Sequence, residues 1–141
     1  MLKGIPKVIP PELLKILAEM GHGDEIVLAD ANFPAVTMGQ RVVRCDASGV
    51  PELLDAILQL VPLDRFVSKP VGLMQVVPGD DYKPVIWDTY RAILGRHGAG
   101  DVVETIERFA FYDRARKAFA VVATGEMALY ANVILKKGVI D

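Results

Sequence analysis

The stretch Met20-Gly-His-Gly-Asp-Glu-Ile-Val-Leu-Ala-Asp30 decides the fold, because it joins the end of a helix to a buried strand. Gly21 is a typical helix end, and the unbroken apolar run 26–29 indicates a strand with both faces covered. His22 lies between two glycines before this strand, and Asp30 follows its far end. A side chain that titrates near neutral pH and a strand-end carboxylate are groups that acid–base chemistry uses.

Outward from this stretch, predicted helices and strands alternate along the chain. Proline suits the first helical turn, so we expect helices to open near Pro10, Pro51 and Pro84, and a further helical stretch over 101–111. The predicted strands cover residues 25–29, 41–45, 71–77, 119–124 and 132–135. This alternation predicts an α/β fold in one domain, 1–141, with three α/β/α layers and a largely buried mixed sheet. Ligands of such sheets bind beyond the carboxyl ends of strands, where Asp30 lies.

The composition excludes some functions and favours an oligomer. The net charge is −2, and the few clustered basic residues have acidic neighbours, so we expect no nucleic-acid partner. No apolar run approaches the roughly 18 residues of a membrane span, so no membrane partner is expected either. The hydrophobic fraction is 52%, above the typical level of about 45–50%. We expect this surplus to cover interfaces between copies of the chain.

The cysteine and histidine content bears on location and on metal binding. Cys45 is the only cysteine, so no intrachain disulfide can form, and its place in a predicted strand indicates core packing. The first residues lack the apolar stretch of a signal peptide, which predicts a cytoplasmic protein. Two histidines and scattered acidic residues show no zinc-ligand spacing, so we expect no metal.

Few residues carry chemistry on their own. His22 is either a surface histidine in a glycine-rich turn or a proton donor, and its position alone leaves both open. Arg108 and Tyr112 are one helical turn apart and would project together. Tyr130 and Asn132 precede the last strand and offer a phenol and a carboxamide, which suit the hydroxyl groups of a sugar. The other carboxylates fit solvent-facing loop positions: Asp24, Asp64, Asp80 and Asp81.

Taken together, motifs along nearly the whole chain resemble the L-fucose mutarotase and D-ribose pyranase family. They are Pro-Glu-Leu-Leu at 11–14, Met-Gly-His-Gly-Asp-Glu-Ile at 20–26, Asp30 with Asn-Phe-Pro at 32–34, Leu-Asp at 63–64, Arg-Phe-Ala-Phe-Tyr at 108–112, Ala-Phe-Ala-Val-Val at 118–122, Thr-Gly-Glu at 124–126, Tyr-Ala-Asn at 130–132 and Leu-Lys-Lys-Gly at 135–138.

The resemblance implies an enzyme that interconverts sugar anomers without a metal or organic cofactor. It implies that His22 donates the proton and that Asp64 takes part in catalysis. Family members form homo-oligomeric rings with sites at subunit boundaries, which agrees with the apolar surplus. The resemblance also implies a set of sugar contacts: Asp30, Met74, Arg108, Tyr112, Tyr130, Ala131 and Asn132.

The motifs favour the fucose branch, and hence interconversion of the α and β anomers of L-fucose, with one departure. The fucose branch usually has glycine at the position of Ala131, and in having alanine there this chain resembles the ribose branch. The alanine would add a methyl group near the sugar. Two alternatives therefore stay open. One is a D-ribose pyranase or other monosaccharide mutarotase, and the other is a sugar-binding protein without catalysis.

Overall fold

The computed structural model describes residues 1–141, which form five helices and six strands. The helices are α1 Pro11–Glu19, α2 Ala35–Met38, α3 Val50–Leu58, α4 Ile86–Arg96 and α5 Arg108–Lys117. The strands are β1 Glu25–Ala29, β2 Val42–Cys45, β3 Val71–Met74, β4 Val103–Ile106, β5 Ala120–Thr124 and β6 Val133–Lys136. The longest helix has 11 residues, and none is long and apolar enough to cross a lipid bilayer.

All six strands form one mixed sheet in the order β2-β5-β1-β6-β3-β4. Five of them run parallel, and β6 lies antiparallel between β1 and β3. The residues that follow the parallel strands and those that precede β6 therefore share one edge of the sheet. We call it the carboxyl edge, and the opposite one the amino edge.

Side chains along the central strands point alternately to the two faces of the sheet, and helices pack on both faces. In β1, Ile26 and Leu28 join a core of 24 buried residues that includes α1, α3 and α4. Val27 and Ala29 point the other way, into a core of 12 buried residues under α2 and α5. Successive strand residues face opposite sides, so an unbroken apolar strand such as β1 fits a sheet that is buried on both faces. The predicted three-layer α/β/α fold with a buried mixed sheet is confirmed.

One predicted element is wrong and several boundaries shift. The stretch 101–111, predicted as helical, contains strand β4, which pairs in parallel with β3, and α5 starts only at Arg108. Its residues Val103, Thr105 and Ile106 are β-branched, which favours a strand beside an existing edge. Strand β3 ends at Met74 rather than at residue 77, the four-residue α2 was not expected, and α4 starts at Ile86, two residues after Pro84.

Candidate active site

A cavity of about 290 Å³ opens at the carboxyl edge, between the ends of β1 and β3 and the start of β6. Most of the residues expected to contact a sugar line it: Asp30, Met74, Arg108, Tyr112, Tyr130 and Asn132. Its volume is near the lower end of the roughly 300–1,000 Å³ of small-molecule sites, which suits a ligand of monosaccharide size.

Asp30 and Asn132 form the polar floor of this cavity. The Asn132 Oδ1 accepts the backbone N–H of Asp30 at 2.8 Å, and Asn132 is buried. The Asp30 carboxylate accepts the N–H of Asn32 at 3.0 Å. Burial raises the pKa of Asp30, and the hydrogen bonds that it accepts oppose this rise. The two side chains are thus fixed before any ligand arrives, with hydrogen-bonding atoms left for hydroxyl groups.

Helix α5 presents Arg108 and Tyr112 to the cavity. Glu107 caps the helix, because its carboxylate accepts the N–H groups of Phe109 and Ala110 at 2.9 and 3.0 Å. These two bonds hold the pKa of Glu107 below its usual value. The Arg108 guanidinium carbon lies 5.9 Å from the centre of the Tyr112 ring. The predicted projection of the pair from one helical turn is confirmed.

The backbone around Tyr130 is held in an unusual shape by α4. Tyr130 is the only non-glycine residue with a positive φ, at 56°, a conformation that side chains disfavour. The Trp87 Nε1–H donates to its carbonyl at 2.8 Å, and the Tyr90 hydroxyl donates to the Ala131 carbonyl at 2.6 Å. Ala131 itself is fully buried and is not among the residues that line the cavity, and its expected contact with a sugar stays a prediction.

His22 and Asp64 meet at the amino edge. The Nε2 of His22 lies 3.1 Å from Oδ1 of Asp64, and the same oxygen accepts the N–H of Phe66 at 3.0 Å. The Asp64 residue is only 4% exposed, so it is not a solvent-facing loop charge. The Phe66 N–H and then His22 keep the pKa of Asp64 below its usual value. His22 is half-exposed, and its ring lies 5.5 Å from that of Phe66.

The two groups of candidate residues lie at opposite ends of strand β1 within one chain. His22 precedes the strand and Asp30 follows it. Five strand residues at about 3.3 Å each separate them by roughly 17 Å. A proton donor must come within hydrogen-bond reach of the atom that it protonates. One copy of the chain therefore cannot apply His22 to a ligand held beside Asp30.

One charged residue of the cavity, Asp80, was not among the expected sugar contacts. Asp80 is exposed, as expected of a solvent-facing charge, but it also lines the cavity, and its Oδ2 accepts the Tyr130 hydroxyl proton at 2.7 Å. Only its place in a Pro-Gly-Asp-Asp turn after a predicted strand hinted at this position. No group of three His, Cys, Asp or Glu side chains lies close enough together to hold a metal ion.

Comparison with known proteins identifies the family. Residues 3–140 match the model of the RbsD / FucU transport protein family. The chain belongs to this family. It is 54% identical over 146 residues to a fucose mutarotase of Mus musculus, covering 99% of this chain and 95% of that one. It is also 54% identical over 140 residues to an L-fucose mutarotase of Actinobacillus pleuropneumoniae serotype 5b (strain L20), with 99% and 97% covered.

A solved member of the family has the same fold. The crystal structure of a fucose mutarotase in complex with L-fucose from Streptococcus pneumoniae superposes with a TM-score of 0.96 at 55% identity. The match covers 99% of this chain and 100% of that one. The family resemblance expected from the motifs is therefore confirmed over the full chain.

Proposed function

We propose that this protein is an isomerase that interconverts the α and β anomers of L-fucose. The observation that carries the proposal is full-length similarity, at 55% identity, to a fucose mutarotase solved with L-fucose. The cavity at the carboxyl edge agrees with it, because it combines carboxylate, guanidinium, carboxamide and phenol groups with apolar walls. Such a set binds the hydroxyl groups and the apolar face of a pyranose.

The residues support a mechanism of ring opening and closure. His22 protonates the ring oxygen O5 while a base takes the proton of the anomeric hydroxyl. The electrons of that O–H bond form the C1=O bond as C1–O5 breaks. The aldehyde then turns about its C–C bond, and the reverse steps close the ring on its other face. General acid–base catalysis of this kind contributes about 10²–10⁴-fold.

Asp64 decides which nitrogen of His22 works. Since the Asp64 carboxylate accepts the Nε2–H of His22, the imidazolium form of His22 gives its Nδ1 proton to O5 and is left as the neutral ring with its proton on Nε2. The buried carboxylate also fixes the plane of the ring, as the third member of a catalytic triad does. We assign His22 as the proton donor and Asp64 as the residue that orients it.

We further propose that the working site is shared by two copies of the chain in a closed homo-oligomer, a ring. The distance between His22 and the cavity supports this proposal, because a second copy would bring its His22 to the cavity of its neighbour. Large apolar side chains near both parts support this arrangement, because Phe66 beside His22 is 68% exposed and Phe109 beside Arg108 is 65% exposed. Exposed apolar groups of this size are typical of interfaces. We place the reaction in the cytoplasm, given the single buried cysteine.

Saturation-transfer NMR on L-fucose and D-ribose tests the proposed reaction. We expect the protein to speed exchange between the α and β anomers of L-fucose, and the His22→Ala variant to lose this effect while retaining its fold by circular dichroism. Acceleration of D-ribose pyranose–furanose exchange alone would replace the proposal with a ribose pyranase. Binding of L-fucose without faster exchange would leave a sugar-binding protein.

A further inference from the structure

The Asp80 carboxylate is built into the wall of the cavity through Tyr130. Its Oδ2 accepts the Tyr130 phenol proton at 2.7 Å. Its other oxygen, Oδ1, accepts the backbone N–H of Tyr82 at 2.9 Å, which fixes the turn. The ring of Tyr82 stacks on that of Tyr130, with centres 5.9 Å apart and planes at 29°. Asp80 is thus oriented by one bond and orients Tyr130 by the other.

This arrangement determines what the Tyr130 oxygen can do for a ligand. A phenol has one proton, and here that proton is directed to Asp80. The only other hydrogen bond to this oxygen comes from the Val77 N–H at 3.5 Å, which is long. Tyr130 lines the cavity, and its oxygen therefore retains the capacity to accept a further hydrogen bond from a sugar hydroxyl. Without Asp80 the hydroxyl could rotate and act as donor or acceptor.

We propose that Asp80 is a positioning residue that makes the Tyr130 phenol a hydrogen-bond acceptor for a hydroxyl group of the bound sugar. The inference rests on the proposed function for its ligand class. The position of Tyr130 agrees with it, because Trp87 holds the Tyr130 carbonyl and the Tyr82 ring stacks on the Tyr130 ring. Both ends of the residue are thus fixed by groups that a sugar need not displace.

The charges around Tyr130 are consistent with a carboxylate–phenol pair at neutral pH. The hydrogen bond lowers the pKa of Asp80 and raises that of Tyr130. Arg108 opposes the rise of the Tyr130 pKa, though less strongly than Asp80 supports it. The remaining titratable groups of the cavity are Asp30 and Tyr112. The phenol therefore keeps its proton, and Asp80 stays the acceptor of that proton.

A double-mutant cycle in the L-fucose exchange assay tests the proposal. We expect Asp80→Ala to lower kcat/KM about tenfold. The loss should lie mainly in KM, because a bond to a sugar hydroxyl forms in the ground state as well as in the transition state. Asp80→Asn keeps an acceptor oxygen and should restore part of the activity. In the Tyr130→Phe background, Asp80→Ala should cause no further loss.

Asp81→Ala is the matched control, because both aspartates are exposed but Asp81 makes no hydrogen bond within the protein and does not line the cavity. We expect it to behave as the unmodified protein does. A full additional loss from Asp80→Ala on top of Tyr130→Phe would overturn the proposal, since Asp80 would then act on its own. Unchanged kcat/KM in Asp80→Ala would overturn it as well.

A second readout does not depend on catalysis. The chain has four tyrosines, and NMR of tyrosine ring carbons follows the ionisation of each, with Tyr130 assigned from Tyr130→Phe. We expect Asp80→Ala to bring the pKa of Tyr130 down toward about 10, and an unchanged pKa would refute the pair. If the unmodified protein does not accelerate sugar exchange, the proposed function fails. Calorimetric L-fucose binding by the same variants then still decides whether Asp80 acts through Tyr130.

Discussion

Replacing Tyr90 by phenylalanine removes one buried hydrogen bond and leaves the ring in place. The Tyr90 hydroxyl donates to the Ala131 carbonyl at 2.6 Å, and both residues are almost fully buried. Burial raises the pKa of Tyr90 well above its usual value, so the phenol stays protonated and remains a hydrogen-bond donor. In Tyr90→Phe the carbonyl loses this partner in a place that water does not reach.

The size of the effect follows from that orphaned carbonyl. A buried polar group without a partner costs about 1–3 kcal/mol of unfolding free energy. An unfolding entropy of about 2.1 cal/mol/K per residue over 141 residues gives about 0.3 kcal/mol/K for this chain. The melting temperature should therefore fall by about 3–10 °C. Activity should fall too, because the freed segment carries Tyr130 and Asn132.

Calorimetry at one protein concentration and the L-fucose exchange assay check this prediction together. Tyr82→Phe is the control for stability, because the Tyr82 hydroxyl has no hydrogen-bond partner within the protein. It should shift the melting temperature by less than about 2 °C. If Tyr90→Phe is as stable and as active as the unmodified protein, α4 does not hold the Tyr130 segment in place and the argument is wrong.

Two further variants test the support of the site from other directions. In Gly138→Ala the new methyl carbon would lie 2.5 Å from the Leu63 carbonyl oxygen and 2.9 Å from Cα of Asp64. Activity should fall about tenfold or more, whereas Gly100→Ala, which meets nothing within 4 Å, should retain it; equal activities would contradict the packing argument. The folded-state pKa of Glu107 is depressed, so its contribution is present above an unfolded pKa of about 4.3 and is lost as pH falls through the folded value. Urea unfolding should find Glu107→Gln less stable at pH 7 but equal to the unmodified protein near pH 2, and a difference that persists in acid would refute the cap as its source.

Sequence reasoning recovers the central strand best, because tertiary context there agrees with local pattern. The apolar run of β1 is bounded by polar residues and coincides with the predicted strand 25–29. The prediction was wrong for strand β4, because the polar Glu104 and Thr105 leave it without a clear hydrophobic period. Its formation as a strand depends on pairing with β3. Local propensity is a weak guide at such an edge.

In the site, too, contacts between residues close in the sequence could be predicted, and contacts between distant residues could not. Arg108 and Tyr112 are four positions apart, and this local spacing is enough to predict that both lie on one face of a helix. The contact between Asp30 and Asn132 joins positions 102 residues apart, and it exists because β6 enters the sheet antiparallel beside β1. Because His22 precedes β1 and Asp30 follows it, the two residues lie at opposite edges of the sheet. Neither consequence can be read from residue types, because both depend on strand order.

The most direct test of the shared site is subunit complementation in the L-fucose exchange assay. His22→Ala and Arg108→Ala should each be nearly inactive, since one lacks the proposed proton donor and the other lacks a charged residue that lines the cavity. When equal amounts are co-expressed and co-assembled, about a quarter of the sites should combine an intact His22 with an intact cavity. Activity should return to about that fraction, while a mixture of His22→Ala with the double variant stays inactive. No recovery in verified mixed oligomers would show that His22 of one copy does not act on a sugar held by another.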